Sequence, residues 1–117
     1  MAEGFANHYG SDVLRASSAG LSPVLNIVPE TDAAMMDRNV DVSKHVPRPY
    51  DPRETGFTDI VVNMAGFRLP GPVPKELIEW DVSDPFGASM TVFRAVRDDL
   101  EQRVMNLILN LRRRSKR

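Results

Sequence analysis

The stretch Asp59-Ile60-Val61-Val62-Asn63-Met64-Ala65-Gly66 decides the fold. Residues 60–64 are short, apolar and β-branched at their centre, and Asp59 and Gly66 bound them, which predicts a strand. Because the apolar residues are successive rather than alternate, the strand suits a parallel sheet covered on both faces. Downstream, residues 65–74 hold two glycines and three prolines and read as a loop. Residues 77–81 form a further strand, ending in the turn Val82-Ser83-Asp84-Pro85-Phe86-Gly87. From about Ser89 to Arg113, Val92, Phe93, Val96, Leu100, Val104, Leu107, Ile108 and Leu111 recur at three- and four-residue steps. Such a stripe predicts a long amphipathic helix with one buried face.

Upstream, Pro47, Pro49 and Pro52 exclude a long helix across residues 40–59 and favour an extended or turn-rich crossing. Pro29 stands where a first helical residue is tolerated and opens a helix through Arg38. Residues 13–18 are a candidate strand, followed by a loop containing Gly20 and Pro23. Met1, Phe5 and Tyr9 fall on one face of a helix over residues 1–9. No Ser, Thr, Asp or Asn precedes that helix to cap it, so the chain is expected to open inside an element. The order helix, strand, helix, strand, strand, helix implies an α/β fold with a parallel sheet and right-handed crossovers, one strand short at the start.

The 117 residues suit a single domain over 1–117, and their formal net charge is −1. There is no cysteine, which excludes disulfides, thiolate metal sites and a cysteine nucleophile within these residues. His8 and His45 are too few for a histidine-rich metal centre, and no metal or cofactor is expected. No apolar run reaches the roughly 20 residues of a membrane span, and Glu3, Asn7 and His8 occupy what would be the apolar part of a signal peptide. A cytoplasmic location and no membrane partner are the expectations. Arg112, Arg113, Arg114, Lys116 and Arg117 make a basic tail over 112–117 and leave an acidic body. Cations there favour the negative end of a helix dipole, and without interleaved aromatics the tail does not indicate nucleic acid. Met35 and Met36 read as packing residues, and Asp98 and Asp99 as solvated charge. No phosphate-loop, dinucleotide or HExxH motif is present.

Six ordered segments carry a resemblance. They are Met1-Ala2-Glu3-Gly4-Phe5-Ala6 with Tyr9-Gly10; Ser18-Ala19-Gly20; Val40-Asp41-Val42-Ser43-Lys44-His45; Asp59 to Met64; Trp80-Asp81-Val82-Ser83-Asp84-Pro85-Phe86-Gly87; and Val96-Arg97-Asp98-Asp99-Leu100-Glu101. Together they span nearly the whole chain, which resembles the low-molecular-weight protein tyrosine phosphatases and the thioredoxin-type arsenate reductases. The resemblance implies a three-layer α/β fold, a parallel sheet flanked by helices, with strand order 2-1-3-4. It also implies that a first strand and a Cys-five-residue-Arg phosphate loop precede the equivalent of Met1. In such a loop, helix N-terminal amides cradle the oxyanion, the arginine clamps it and the thiolate attacks.

By the same resemblance Asp84 stands at the general-acid position and Phe86 at the aromatic wall of the substrate cleft. Ser18 belongs to the turn that buttresses the phosphate loop. Each also has a plain structural reading: Asp-Pro and Ser-Ala-Gly are ordinary turn sequences. His45 reads as a hydrogen-bonded structural histidine, and Trp80 as core or cleft wall. The expected function is a truncated or catalytically inactive member of this family. The alternative is an interaction module offering a bare sheet edge or the proline-rich segment 47–52. Without a central strand the sheet has an unpaired apolar edge, so the chain is expected to be a homodimer through that edge or a marginal monomer.

Overall fold

The computed structural model describes residues 1–20 and 28–115. Three α-helices, one short 3-10 helix and two strands are present among them: α1 (Ala2–Tyr9), α2 (Pro29–Met36), the 3-10 helix (Pro52–Phe57), β1 (Ile60–Asn63), β2 (Glu76–Glu79) and α3 (Met90–Ser115). The fold class is α/β, and β1 and β2 pair in parallel with Ile60 opposite Glu76 and Asn63 opposite Glu79.

The core is helical. Phe5 and Ala6 of α1, Met35 of α2, and Val96, Leu100, Val104 and Ile108 of α3 form one buried cluster with Val40 and Val42. Gly10 ends α1 against α3, where an added Cβ would lie 2.7 Å from Ile108 Cγ1. The absent side chain therefore sets how closely the two helices approach.

Helix α2 stops through its backbone. Asn39 adopts φ 58°, Asn39 N–H bonds to Met36 O at 2.9 Å, and Val40 N–H reaches Met35 O at 3.1 Å. Asparagine tolerates this left-handed residue, and buried Val40 supplies the accompanying apolar contact. The buried Arg97 guanidinium on α3 donates to Ala34 O at 3.0 Å, satisfying another helix-end carbonyl. It also pairs with Asp37 at 2.6 Å and Asp98 at 2.9 Å, while Arg38 joins Asp98 to Glu101.

The sheet half is held differently. Tyr50 donates to Pro70 O at 2.7 Å, Thr55 Oγ1 to Pro72 O at 2.5 Å, and Asn63 Nδ2 to Phe67 O at 2.8 Å. Extensive element packing joins β1 to β2, α1 to α3 and α2 to α3, and β1 is absent from the apolar core cluster. Trp80 and Val82, just after β2, do pack against that cluster.

Several expectations are corrected. Residues 13–18 form no strand. Asn7 of α1 takes both backbone groups of Ala16 through its side-chain amide, Nδ2 to Ala16 O at 2.9 Å and Ala16 N–H to Oδ1 at 2.8 Å. That amide occupies hydrogen-bonding groups a neighbouring strand would use. Met35 is buried, but Met36 is 50% exposed because it turns to the other side of α2. Val92 is also exposed, although Phe93 beside it on α3 is buried. Asp98 and Asp99 are solvated as expected, with side chains exposed at the surface, where Asp98 also meets two arginines and Asp99 pairs with Arg103 one turn on. The tail is tied to the body: Arg112 pairs with Asp12 at 3.0 Å and Arg114 with Glu76 at 2.7 Å. Lys116, Arg117 and the loop residues 21–27, including Pro23, lie outside the described residues.

No helix among the described residues is long and apolar enough to cross a membrane.

Candidate functional site

Beyond the carboxyl end of β2, Asp84 accepts a hydrogen bond from Phe86 N–H at 3.0 Å. Ala88 N–H then reaches Pro85 O at 2.8 Å, with Gly87 at φ 81°. The positive φ at the third position of this turn is one that glycine adopts without strain. The consequence is an aromatic held outward: Phe86 is 64% exposed.

This turn forms one wall of a cleft of about 470 Å³. The opposite wall is the start of α1 with Ser18, His45 and Pro47; Phe93, Val96 and Leu100 of α3 and Met64 after β1 also line it. Ser18, Asp84 and Phe86, far apart in sequence, thus line one cavity. Trp80 is not among the lining residues and belongs to the packing around the core.

The polar centre of the cleft is Glu3, which the sequence gives no local reason to single out. Ser18 Oγ donates to Glu3 Oε1 at 3.2 Å, and His45 Nδ1 lies 2.9 Å from Glu3 Oε2. The order serine, carboxylate, histidine matters. A nucleophilic serine needs a base at its own oxygen, with the carboxylate behind the base. Here the carboxylate sits in the middle, so the arrangement fixes α1 to residues 18 and 45 rather than activating Ser18. His45 stands at ion-pair distance from Glu3 and is half-buried rather than buried.

The electrostatics of the cleft follow from its lining. Glu3 and Asp84 contribute two carboxylates, and no lysine or arginine lines it among the described residues. Arg48, whose charge acts on Glu3, is occupied elsewhere: it grips Glu54 through two bonds of 2.7 and 2.8 Å. That pairing, led by the hydrogen bond from Arg48, holds the Glu54 carboxyl below the usual range. No group of three or more metal-ligating side chains occurs among the described residues.

The proline-rich segment is also engaged. Gly20 N–H bonds to Arg48 O and Tyr50 N–H to Gly20 O, both at 2.9 Å, so residues 48–50 are pinned along their backbone.

No protein-family model matches the chain. Curated relatives do. A glutaredoxin arsenate reductase of Synechocystis sp. is 33% identical over 115 residues, covering 95% of this chain and 87% of the relative. A putative arsenate reductase of Halobacterium salinarum is 30% identical over 97 residues, covering 82% of this chain and 68% of the relative. Among solved structures, an arsenate reductase in the reduced state superposes with a TM-score of 0.82 at 31% identity, covering 93% of this chain and 86% of that one. The helices and the parallel strand pair are therefore those of a known scaffold, and the chain belongs to the arsenate reductase family, on the fold shared with low-molecular-weight tyrosine phosphatases.

Proposed function

We propose that these 117 residues are a catalytically silent form of the arsenate reductase scaffold. The observation that carries this reading is the cleft itself: it gathers two carboxylates and, among the described residues, no lysine or arginine. An oxyanion site needs donors and positive charge aimed at the anion, and an acidic cleft repels it. Composition supports the same reading. Reducing arsenate to arsenite transfers two electrons, which two thiols supply on joining as a disulfide, and the chain holds no cysteine.

In this reading Asp84 keeps the place of a general acid with no attacking group to serve, Phe86 walls the cleft and Ser18 buttresses it. The test is direct. The purified 117-residue protein is incubated with arsenate and a dithiol, and separately with an aryl phosphate. Neither is expected to be turned over above the rate without protein, and phosphate titrated to millimolar concentration should give no binding heat. Turnover that disappears in Asp84→Asn would overturn the proposal.

A second reading is an interaction module: among the described residues no strand other than β2 pairs with β1, whereas within residues 47–52 Arg48 and Tyr50 are already bonded through their backbone to Gly20.

A further inference from the structure

The pairing of β1 with β2 sets Ile60 level with Glu76, and the two segments already run abreast before the strands begin. Lys75 Nζ lies 3.5 Å from Asp59 Oδ1, and a Cβ on Gly56 would lie 3.7 Å from Pro72 Cβ. Phe57 and Val73, the next residue of each segment, therefore stand side by side. Phe57 is 91% exposed and Val73 78%. Alternation along the strands extends this face, because half-exposed Leu77 and its neighbour Val61 come two residues after Lys75 and Asp59. Glu76 points the other way and is held by Arg114 at 2.7 Å, so α3 takes the opposite face.

The exposure does not come from loose chain. Thr55 Oγ1 ties Pro52 O to Pro72 O, and Gly71 lies so close to Pro52 that an added Cβ would sit 2.5 Å from Pro52 O. Large apolar side chains held out on a fixed platform suit an interface, since little ordering entropy remains to be lost on docking.

The charges select the occupant. Asp59 and Lys75 are both exposed, and a surface pair of this kind contributes little within one chain. The face thus carries Phe57 beside Val73, then an anion beside a cation, then Val61 beside Leu77. A two-fold axis running along the strands, midway between the segments, lays Phe57 on the partner's Val73 and Asp59 on the partner's Lys75. A face of one sign would call for a partner of the other, whereas this one complements itself.

We infer that this sheet face is a self-association surface, on which a second copy of the chain docks about a two-fold axis parallel to β1 and β2. Its residues are separate from the lining of the cleft, so the inference is independent of whether the cleft performs chemistry. A face of a few side chains gives a small interface, and the dimer belongs to the weak, concentration-dependent class.

Sedimentation velocity between about 10 μM and about 1 mM should show reversible exchange of monomer and dimer. Phe57→Ser should weaken association at least about tenfold. It should leave the urea midpoint unchanged, because the ring is already in water. Asp59→Lys and Lys75→Asp should each weaken association by a similar factor, since each sets like charges against one another across the axis. An equimolar mixture of those two variants should nevertheless dimerise, because the mixed pair restores opposite charges at both contacts. The inference is overturned by a chain that stays monomeric at the top of the concentration range or by a dimer that Phe57→Ser leaves intact. It is equally overturned by single charge variants that associate as well as the parent, or by a mixture no more associated than its components.

Discussion

Phe5, Met35 and Ile108 have no accessible surface, whereas Leu77 in β2 is 47% exposed and Phe57, beside β1, is 91% exposed. Both halves of the molecule carry large apolar side chains. They differ in whether that sequence has something to pack on. The helical half interlocks through α3, to which both other helices are packed. The sheet half consists of two short strands and proline-rich loops stitched by side-chain bonds to carbonyls. Hydrophobicity marks a residue for burial, but a neighbouring layer is needed to bury it.

The contrast can be broken most strongly in the core. Phe5→Ala should cost about 3–5 kcal/mol, measured by urea denaturation, while Leu77→Ala should cost under about 1 kcal/mol because half its surface is already in water. Equal losses at the two positions would mean that the halves are equally packed.

A finer probe is the helix crossing. In Gly10→Ala the new methyl would fall 2.7 Å from Ile108 Cγ1, and overpacking of this kind costs about 1–3 kcal/mol. Adding Ile108→Val should recover part of the loss in a double-mutant cycle, as expected if the two side chains compete for one space.

The smallest effect is electrostatic. Hydrogen bonds from Arg112, Arg94 and Arg114 lower the pKa values of Asp12, Asp37 and Glu76 respectively, with Arg97 also acting on Asp37. A depressed folded-state carboxyl contributes stability that is present above its unfolded pKa and lost as pH falls through the folded one. The melting temperature should therefore hold above about pH 5 and decline toward pH 3, with a shallower decline in Asp12→Asn. Because these groups are exposed, raising the salt concentration should flatten the same curve.

Much of this organisation was legible in the residues. The period of α3, the β-branched run at β1 and the turn at Asp84 are local signals, and each stands within a residue or two of its expected place. What the sequence hid is non-local. Residues 13–18 have strand-like composition, but the outcome depends on an amide nine residues away at Asn7. Glu3 has no neighbour in sequence to mark it, since its partners Ser18 and His45 arrive through the fold. Asp98 is solvated as its sequence implies, but its partners Arg38 and Arg97 reach it only once α2 lies across α3.

The last turn of α3 bears on how the two halves stay together. Arg112 grips Asp12 beside α1, Arg114 grips Glu76 at the start of β2, and further up the helix Arg103 holds Asp81 O at 3.1 Å. One rod thus carries clasps to both sides of the molecule. A protease that nibbled this helix back past residue 114 would unhook the strand pair from its anchor before it disturbed a single core side chain, so limited digestion should release a loosened sheet from a still-folded helical remainder.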